Sequence, residues 1–369
     1  MSETEAPSSQ VEYSSLFARL FFKSFFENQW VIPEPPPKLL SAFLRWYEGL
    51  CMRVDLTEVP VDRPVFIISL PRSGSSMLQD VLCSHPAFAY ATNMMDICRK
   101  SAPCAAEHFR KRFGFNIRGE RFLKDSVLVD GGSPADPVAT WADIFGEDYF
   151  HVSAESFDPD RLDAAMTERA QRHVREVLWS FGRPYRRFFC KTPLLLPYAE
   201  VLRRIFPDAR FIHLIRDPRS TANSMVKIHR LCNEQLALIR ERQNRPMPEE
   251  PFVPYPRLPN LKKYLDAYGP EDVSTTAHLW NEAIGYVDRI RDDFGEQLMD
   301  VRYEDILSDP DGQLEALFKF AEVPVPDASY EAYQTQRAKI GRVHHVNRYG
   351  DYSRIESICA EGMARYGYR

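Results

Sequence analysis

Short apolar runs alternate with helix-like segments along most of the chain. The runs are those expected of strands buried on both faces of a sheet, and they lie at Val65–Ser69, Phe188–Cys190, Arg210–Ile215 and Leu298–Tyr303. The segments with helical spacing follow them, at Met77–Cys83, Pro197–Phe206, Ser220–Arg230 and Gln313–Ala321. This alternation predicts an α/β fold with a central parallel β-sheet flanked by helices on both faces.

The regions outside this alternation predict an extension and two insertions. Residues 1–12 are polar and are expected to be disordered, and a Phe-rich helical stretch follows before the prolines of 33–37. A second helix is predicted over Lys38–Met52. We therefore expect an N-terminal helical extension over 1–59 and a main domain over 60–369, with helical insertions near 99–185 and 231–280.

Composition limits the classes of partner and compartment. The 369 residues are 44% hydrophobic, enough for a sizeable core, and the net charge of −5 argues against a nucleic-acid-binding surface. The seven cysteines include no CxxC pair, which favours a reducing compartment over a disulfide framework. Leu16–Phe26 is apolar but short and is interrupted by Arg19 and Lys23, so a spanning helix is not expected. A cytoplasmic protein is the simplest expectation.

The loop after the first predicted strand is suited to an anion. It reads Pro71-Arg72-Ser73-Gly74-Ser75-Ser76, between an apolar strand and a helix. Backbone N–H groups at a helix start favour negative charge, Gly74 permits close approach, the serines donate, and Arg72 adds a forked cation. The plain alternative is a serine-capped turn. A kinase loop is the weaker alternative, because the pattern GxxxxGK[ST] is absent.

A second strand-to-helix junction carries Arg216, with Ser224 eight positions later. A helix could turn Ser224 toward the same anion as Arg216, although a salt bridge and a capping serine are the plain alternative. Two anion sites indicate a ligand with two separated anionic groups.

These motifs together resemble the sulfotransferases that use 3'-phosphoadenosine-5'-phosphosulfate (PAPS), over about Pro64 to Tyr349. The resemblance implies a P-loop-like sulfotransferase fold and a first loop, Arg72 to Ser76, that holds the 5'-phosphosulfate. It implies that Arg216 and Ser224 hold the 3'-phosphate, that Tyr303 of Tyr-Glu-Asp lies at the adenine, and that Arg342 belongs to a closing C-terminal loop. The product would be adenosine-3',5'-bisphosphate (PAP), and no metal is implied.

The catalytic residues depart from the best-known branch of that family. Lys191 matches its strand-end lysine, but Pro193 stands where that branch has a histidine base. Another branch uses a carboxylate some twenty residues after the loop, which implies Asp96 as the base here. A helix-capping role is the alternative for Asp96. His85 and His151 are held in reserve, and Met77 replaces an adenine-stacking tryptophan.

The acceptor is predicted only by class. Leu16–Phe26 with Trp30, Trp46 and Tyr47 could line an acceptor tunnel, contact a membrane surface, or pack on the core. We expect a small, apolar or lipid-like hydroxyl acceptor, with peptides and carbohydrates as the alternatives. A P-loop kinase and a catalytically inactive PAP-binding protein are the competing hypotheses.

Overall fold

The computed structural model describes residues 12–16, 18–19, 36–120, 128–147, 157–242, 251–327, 329–341 and 352–369. The chain divides into two compact units. The first unit comprises 1–55, 91–135 and 234–247, and the second comprises 56–90, 136–233 and 248–369. None of the described helices combines the length and apolarity that a membrane span requires.

Eight strands lie in the described residues. In chain order they are β1 Glu12–Tyr13, β2 Val65–Ile68, β3 Phe88–Ala89, β4 Ile117–Glu120, β5 Leu128–Asp130, β6 Arg187–Lys191, β7 Arg210–Ile215 and β8 Leu298–Arg302.

Fourteen α-helices accompany them in the same part of the chain. They are α1 Lys38–Cys51, α2 Ser75–Cys83, α3 Asn93–Ile97, α4 Pro103–Phe113, α5 Val138–Phe145, α6 Ala164–Phe181, α7 Ala199–Ile205, α8 Pro218–Arg242, α9 Leu261–Tyr268, α10 Val273–Phe294, α11 Tyr303–Ser308, α12 Pro310–Phe320, α13 Glu331–Arg337 and α14 Ser353–Arg365.

The second unit is built on a five-stranded sheet in the order β3-β6-β2-β7-β8. Every neighbouring pair in it is parallel. Parallel strands need covered faces, and the strand residues are correspondingly buried: all four of β2 are fully enclosed. The predicted parallel α/β fold is confirmed. Because β2, β7 and β8 are neighbours, the segments that follow them leave the sheet at the same edge.

The first unit contains a sheet that the sequence did not predict. Strands β1, β4 and β5 form it in the order β1-β4-β5, with antiparallel pairs such as Glu12 opposite Arg118 and Gly119 opposite Val129. Residues 99–185 were expected to be helical, but β4 is a short strand of Ile-Arg-Gly-Glu with only two buried positions. Strands this short and this polar leave little periodic signal.

Phe66 lies at the centre of the second unit's core. Its ring is fully buried and contacts the rings of Trp141, Phe188, Phe206 and Phe211, at centroid distances of 5.7–6.1 Å. Aromatic packing of β2 against both of its neighbouring strands, β6 and β7, therefore stabilises the part of the sheet from which the following loop extends.

Replacing this ring should destabilise the protein strongly. We expect Phe66→Ala to lower the free energy of unfolding by about 3–5 kcal/mol, because the cavity is fully enclosed. Phe113→Ala is the control, since that ring is 59% exposed, and it should cost under about 0.5 kcal/mol. Urea unfolding followed by circular dichroism measures both, and equal losses would contradict this account of the core.

Candidate active site

The loop between β2 and α2 has an unusual backbone. Arg72 has φ +71° and Gly74 has φ +88°, both in the left-handed region. Arg72 is not a glycine, so its conformation is held at some energetic cost by its surroundings. Helix α2 begins after Gly74, and no side chain caps that start. The first-turn N–H groups of α2 therefore have no side-chain acceptor, as an anion-binding loop requires.

The ring of Tyr303 lies directly against Gly74. A Cβ atom at position 74 would stand 2.3 Å from Cδ2 of Tyr303 and 2.4 Å from Cε2, so no side chain fits there without displacement. Tyr303 is 8% exposed and begins α11, immediately after β8. Met77 packs against the core cluster to which Tyr303 belongs. Gly74 is therefore needed both for its positive φ and for the close approach of this ring.

Arg216 joins the same group from the end of β7. Its Nη1 donates to the carbonyl oxygen of Arg72 at 3.1 Å, and its guanidinium carbon lies 4.5 Å from the centroid of the Tyr303 ring. No ion pair between Arg216 and a carboxylate occurs among the described residues. The cation is held by a carbonyl and an aromatic face, which leave its charge uncompensated.

Ser224 connects the two loops. Its Oγ accepts a hydrogen bond from Nε of Arg72 at 2.9 Å, across 152 residues of sequence. Ser224 lies on α8, which begins shortly after Arg216. Arg216 and Ser224 were predicted to face the same anion, and in the structure both form hydrogen bonds with Arg72. The structure brings Arg72, Gly74, Arg216, Ser224 and Tyr303 together at one edge of the sheet.

Three residues that the sequence reasoning passed over brace this group. Nε1 of buried Trp280 donates to the carbonyl of Arg216 at 2.9 Å. Glu304 accepts from the backbone N–H of Asp217 at 3.1 Å and from the hydroxyl of Tyr368 at 2.9 Å. Burial and the Glu304 carboxylate raise the pKa of Tyr368, which keeps its hydroxyl protonated as a donor. Glu304 stood in the Tyr-Glu-Asp motif and could have been noticed, whereas no local signal marked Trp280 or Tyr368.

Lys191 lies at the end of β6, beside the central strand. It is 3% exposed, and its Nζ pairs with Asp136 Oδ2 at 2.8 Å, so the head group is not solvated. Two neighbouring hydroxyls, Ser69 Oγ and Thr192 Oγ1, are buried and have no hydrogen-bond partner among the described residues. Ser69 follows β2 and Thr192 follows β6, at the same edge as the loop. Buried hydroxyls without a hydrogen-bond partner are energetically costly.

A family model described as the sulfotransferase family matches residues 64–244 and 257–327. The chain belongs to the sulfotransferase family. It is similar to omega-hydroxy-beta-dihydromenaquinone-9 sulfotransferase Stf3 of Mycobacterium tuberculosis, with 31% identity over 285 residues that cover 71% of this chain and 63% of that protein. It also resembles human protein-tyrosine sulfotransferase 1, with 25% identity over 193 residues, covering 52% and 42%. The chain thus spans less than two thirds of the length of either relative.

Solved sulfotransferases share the fold. The crystal structure of sulfotransferase STF9 from Mycobacterium avium aligns with a TM-score of 0.57 at 16% identity, covering 99% of this chain and 88% of that one. That of sulfotransferase STF1 from Mycobacterium tuberculosis aligns with a TM-score of 0.50 at 15% identity, covering 88% and 82%. At such identities the likeness concerns the fold alone.

Asp96 lies in α3 of the first unit and is 6% exposed. It does not cap that helix: Thr92 does, by accepting the Met95 N–H at 3.3 Å while its hydroxyl donates to Glu107 at 3.0 Å. The alternative role expected for Asp96 was to cap a helix over Ile97–Lys100, but α3 ends at Ile97 and a turn follows it, so no helix begins there.

The remaining site residues that the sequence suggested are not found beside the loop in the described part of the chain. His85 follows α2 and precedes β3, at the amino edge of the parallel sheet, opposite the loop. Its Nδ1 accepts the Ala87 N–H at 3.0 Å, and burial lowers its pKa, so it is a neutral packing residue.

His151 and Arg342 lie outside the described residues, as do Trp30 and most of Leu16–Phe26. Among the residues described, no three His, Cys, Asp or Glu side chains form a group able to hold a metal ion.

The contact between Gly74 and Tyr303 can be isolated with a matched glycine. Gly114 also has a left-handed φ, +61°, but nothing lies within 4 Å of its added Cβ. Gly114→Ala should cost about 1 kcal/mol from backbone strain alone, and Gly74→Ala should cost about 1–3 kcal/mol more because of overpacking. Chemical unfolding measures both.

A Tyr303→Ala background provides the control for this comparison. Without the ring, the cost of Gly74→Ala should fall to that of Gly114→Ala. An excess cost that persists in this background would show that Tyr303 is not the cause.

Proposed function

We propose that this sulfotransferase transfers a sulfuryl group from PAPS to the hydroxyl of a small, apolar or lipid-like acceptor, producing PAP and a sulfate ester. The observation that carries the proposal is the pairing of the two loops, in which Arg72 bonds Ser224 at 2.9 Å and Arg216 bonds the Arg72 carbonyl at 3.1 Å. The loop after β2 and the segment after β7 are thus linked by hydrogen bonds, and each carries an arginine. Two such neighbouring basic segments suit a nucleotide that has anionic groups at both its 5' and 3' positions.

The residues present fit such a donor. The uncapped start of α2, with Ser73 to Ser76 and Arg72, would hold the 5' group. Arg216 and Ser224 would hold the 3'-phosphate, with Tyr303 at the base. When bound, PAPS supplies the sulfuryl group and a leaving phosphate. Arg72 and Lys191 would offset the charge that builds on the leaving side.

The acceptor hydroxyl needs a base, and we assign that role to Asp96. A buried carboxylate can take a proton from a hydroxyl that it contacts, provided that it is placed within hydrogen-bonding reach. Pro193 cannot do this, and His85 lies at the opposite sheet edge. The lipid-like acceptor is supported by the similarity to Stf3, an omega-hydroxy-beta-dihydromenaquinone-9 sulfotransferase, whose named acceptor is a menaquinone derivative.

Nucleotide preference tests the donor. PAP should raise the melting temperature of the wild-type protein, whereas ATP with magnesium should not. Arg216→Ala should weaken PAP binding by about ten- to a hundredfold, because it removes charge-assisted contacts to the 3'-phosphate. Arg230→Ala is the control on the same helix: Arg230 is 57% exposed and pairs with Glu271, so its loss should leave the shift unchanged.

Other outcomes point to the competing hypotheses. A shift with ATP and magnesium but none with PAP would favour a kinase and contradict the donor assignment. A PAP shift without consumption of PAPS in a broad screen of hydroxyl acceptors would favour an inactive PAP-binding protein.

The base is tested separately from the donor site. Asp96→Asn keeps the size of the side chain but cannot take a proton, so turnover should fall by about a hundredfold or more while the PAP-induced shift stays as in wild type. His85→Gln should retain turnover. Normal turnover in Asp96→Asn would remove Asp96 from the mechanism and leave the donor assignment standing.

A further inference from the structure

Helix α1, in the first unit, carries a continuous apolar stripe on its solvent side. Leu39 is 85% exposed, Phe43 36%, Trp46 54% and Leu50 71%. Steps of four, three and four residues place these side chains on one face of an α-helix. Single exposed apolar residues are ordinary, but a run of them along three helical turns marks an interaction surface.

The stripe is presented by a packed helix. Leu40 and Leu44, on another face of α1, are 4% and 3% exposed. The rings of Phe43 and Tyr47 meet that of Phe109 on α4 edge-on, at 5.7 and 5.9 Å. Phe113, at the end of α4, is 59% exposed and stacks near Phe109 at 4.6 Å. The exposed face is therefore held in place by contacts on its inner side.

Positive charge accompanies this stripe. Lys38, Arg45 and Arg53 lie on or just after α1, and Arg112 precedes Phe113; all are exposed, and none pairs with a carboxylate in the described part of the chain. Arg45 donates instead to the carbonyl of Lys100 at 3.2 Å, and the Arg112 guanidinium lies 5.8 Å from the centroid of the Phe113 ring. The single acidic residue of α1, Glu48, is half-buried, and beyond the helix the exposed Asp55 follows Arg53. In a chain of net charge −5, this is a local concentration of cations.

We propose that this surface, formed by Leu39, Phe43, Trp46, Leu50 and Phe113 with the four cations around them, docks onto an anionic lipid bilayer. Apolar and aromatic side chains enter the boundary between headgroups and acyl chains, while exposed Lys and Arg contact lipid phosphates. A second copy of the chain fits less well, because a two-fold contact through the stripe would bring the same cations together. The inference rests on the surface alone and does not depend on the proposed reaction.

Vesicle co-sedimentation tests this docking. The 369-residue chain should bind vesicles of phosphatidylcholine mixed with phosphatidylglycerol, bind phosphatidylcholine alone at least about tenfold more weakly, and lose affinity as salt is raised. Leu39→Ser with Leu50→Ser should lower the partition coefficient by about tenfold or more, because two large apolar side chains no longer enter the lipid. Val325→Ser, at a 49% exposed site in the second unit, is the matched control and should bind as wild type.

The charges are tested in the same assay. Lys38→Gln with Arg53→Gln should weaken binding to acidic vesicles by about twenty-fivefold, at about fivefold per cation. Lys262→Gln with Lys319→Gln removes two exposed lysines elsewhere, 66% and 69% exposed, and should change little. An unchanged melting temperature and PAP shift would show that each variant is folded and that its donor site is intact.

Three results would overturn the proposal. They are failure of the wild type to bind acidic vesicles, equal binding by the stripe variant and its control, and a dimer in sedimentation analysis that the stripe variant converts to monomer without losing vesicle binding. The last result would identify the stripe as a self-association surface.

Discussion

The candidate site depends on the contacts of the Tyr303 ring with Gly74 and with the guanidinium of Arg216. It joins the ends of β2, β7 and β8, which are neighbours in the sheet, and it leaves no room for a side chain at position 74. The same ring offers Arg216 an aromatic face, so the cation is held without a carboxylate that would neutralise it. The ring of Tyr303 therefore both brings the loops after β2 and β7 together and lets Arg216 keep its positive charge.

The groups around this contact hold the Arg216 cation through neutral and backbone partners, whereas the nearby carboxylate of Glu304 binds other groups. Arg216 is held through a carbonyl bond, and Trp280 fixes the backbone of Arg216. Glu304 accepts hydrogen bonds from the Asp217 N–H and from the hydroxyl of Tyr368. Lys191 is the exception, since Asp136 pairs with it. A cation with a carboxylate partner can be positioned at lower cost, but it offers a ligand less net charge.

Much of the fold could be predicted because buried parallel strands are continuous apolar runs: the prediction for Arg210–Ile215 coincides with β7, and Val65–Ser69 overlaps β2. The short antiparallel strands of the first unit are too polar to show this pattern. Within the site, Arg72, Arg216, Ser224 and Tyr303 are brought together as the motifs implied. The roles of Trp280 and Tyr368 arise from contacts across 64 residues, to Arg216 and Glu304 respectively, which no local pattern encodes.

We propose that two linked anion sites bind one nucleotide through both of its charged ends. Titration of the protein with PAP and with adenosine 5'-phosphate, which differ only in the 3'-phosphate, tests this most directly. We predict that PAP binds about a hundredfold more tightly, as two charge-assisted contacts would give, and that Arg216→Ala removes most of this difference. Equal affinities for the two nucleotides in the wild-type protein would contradict the account.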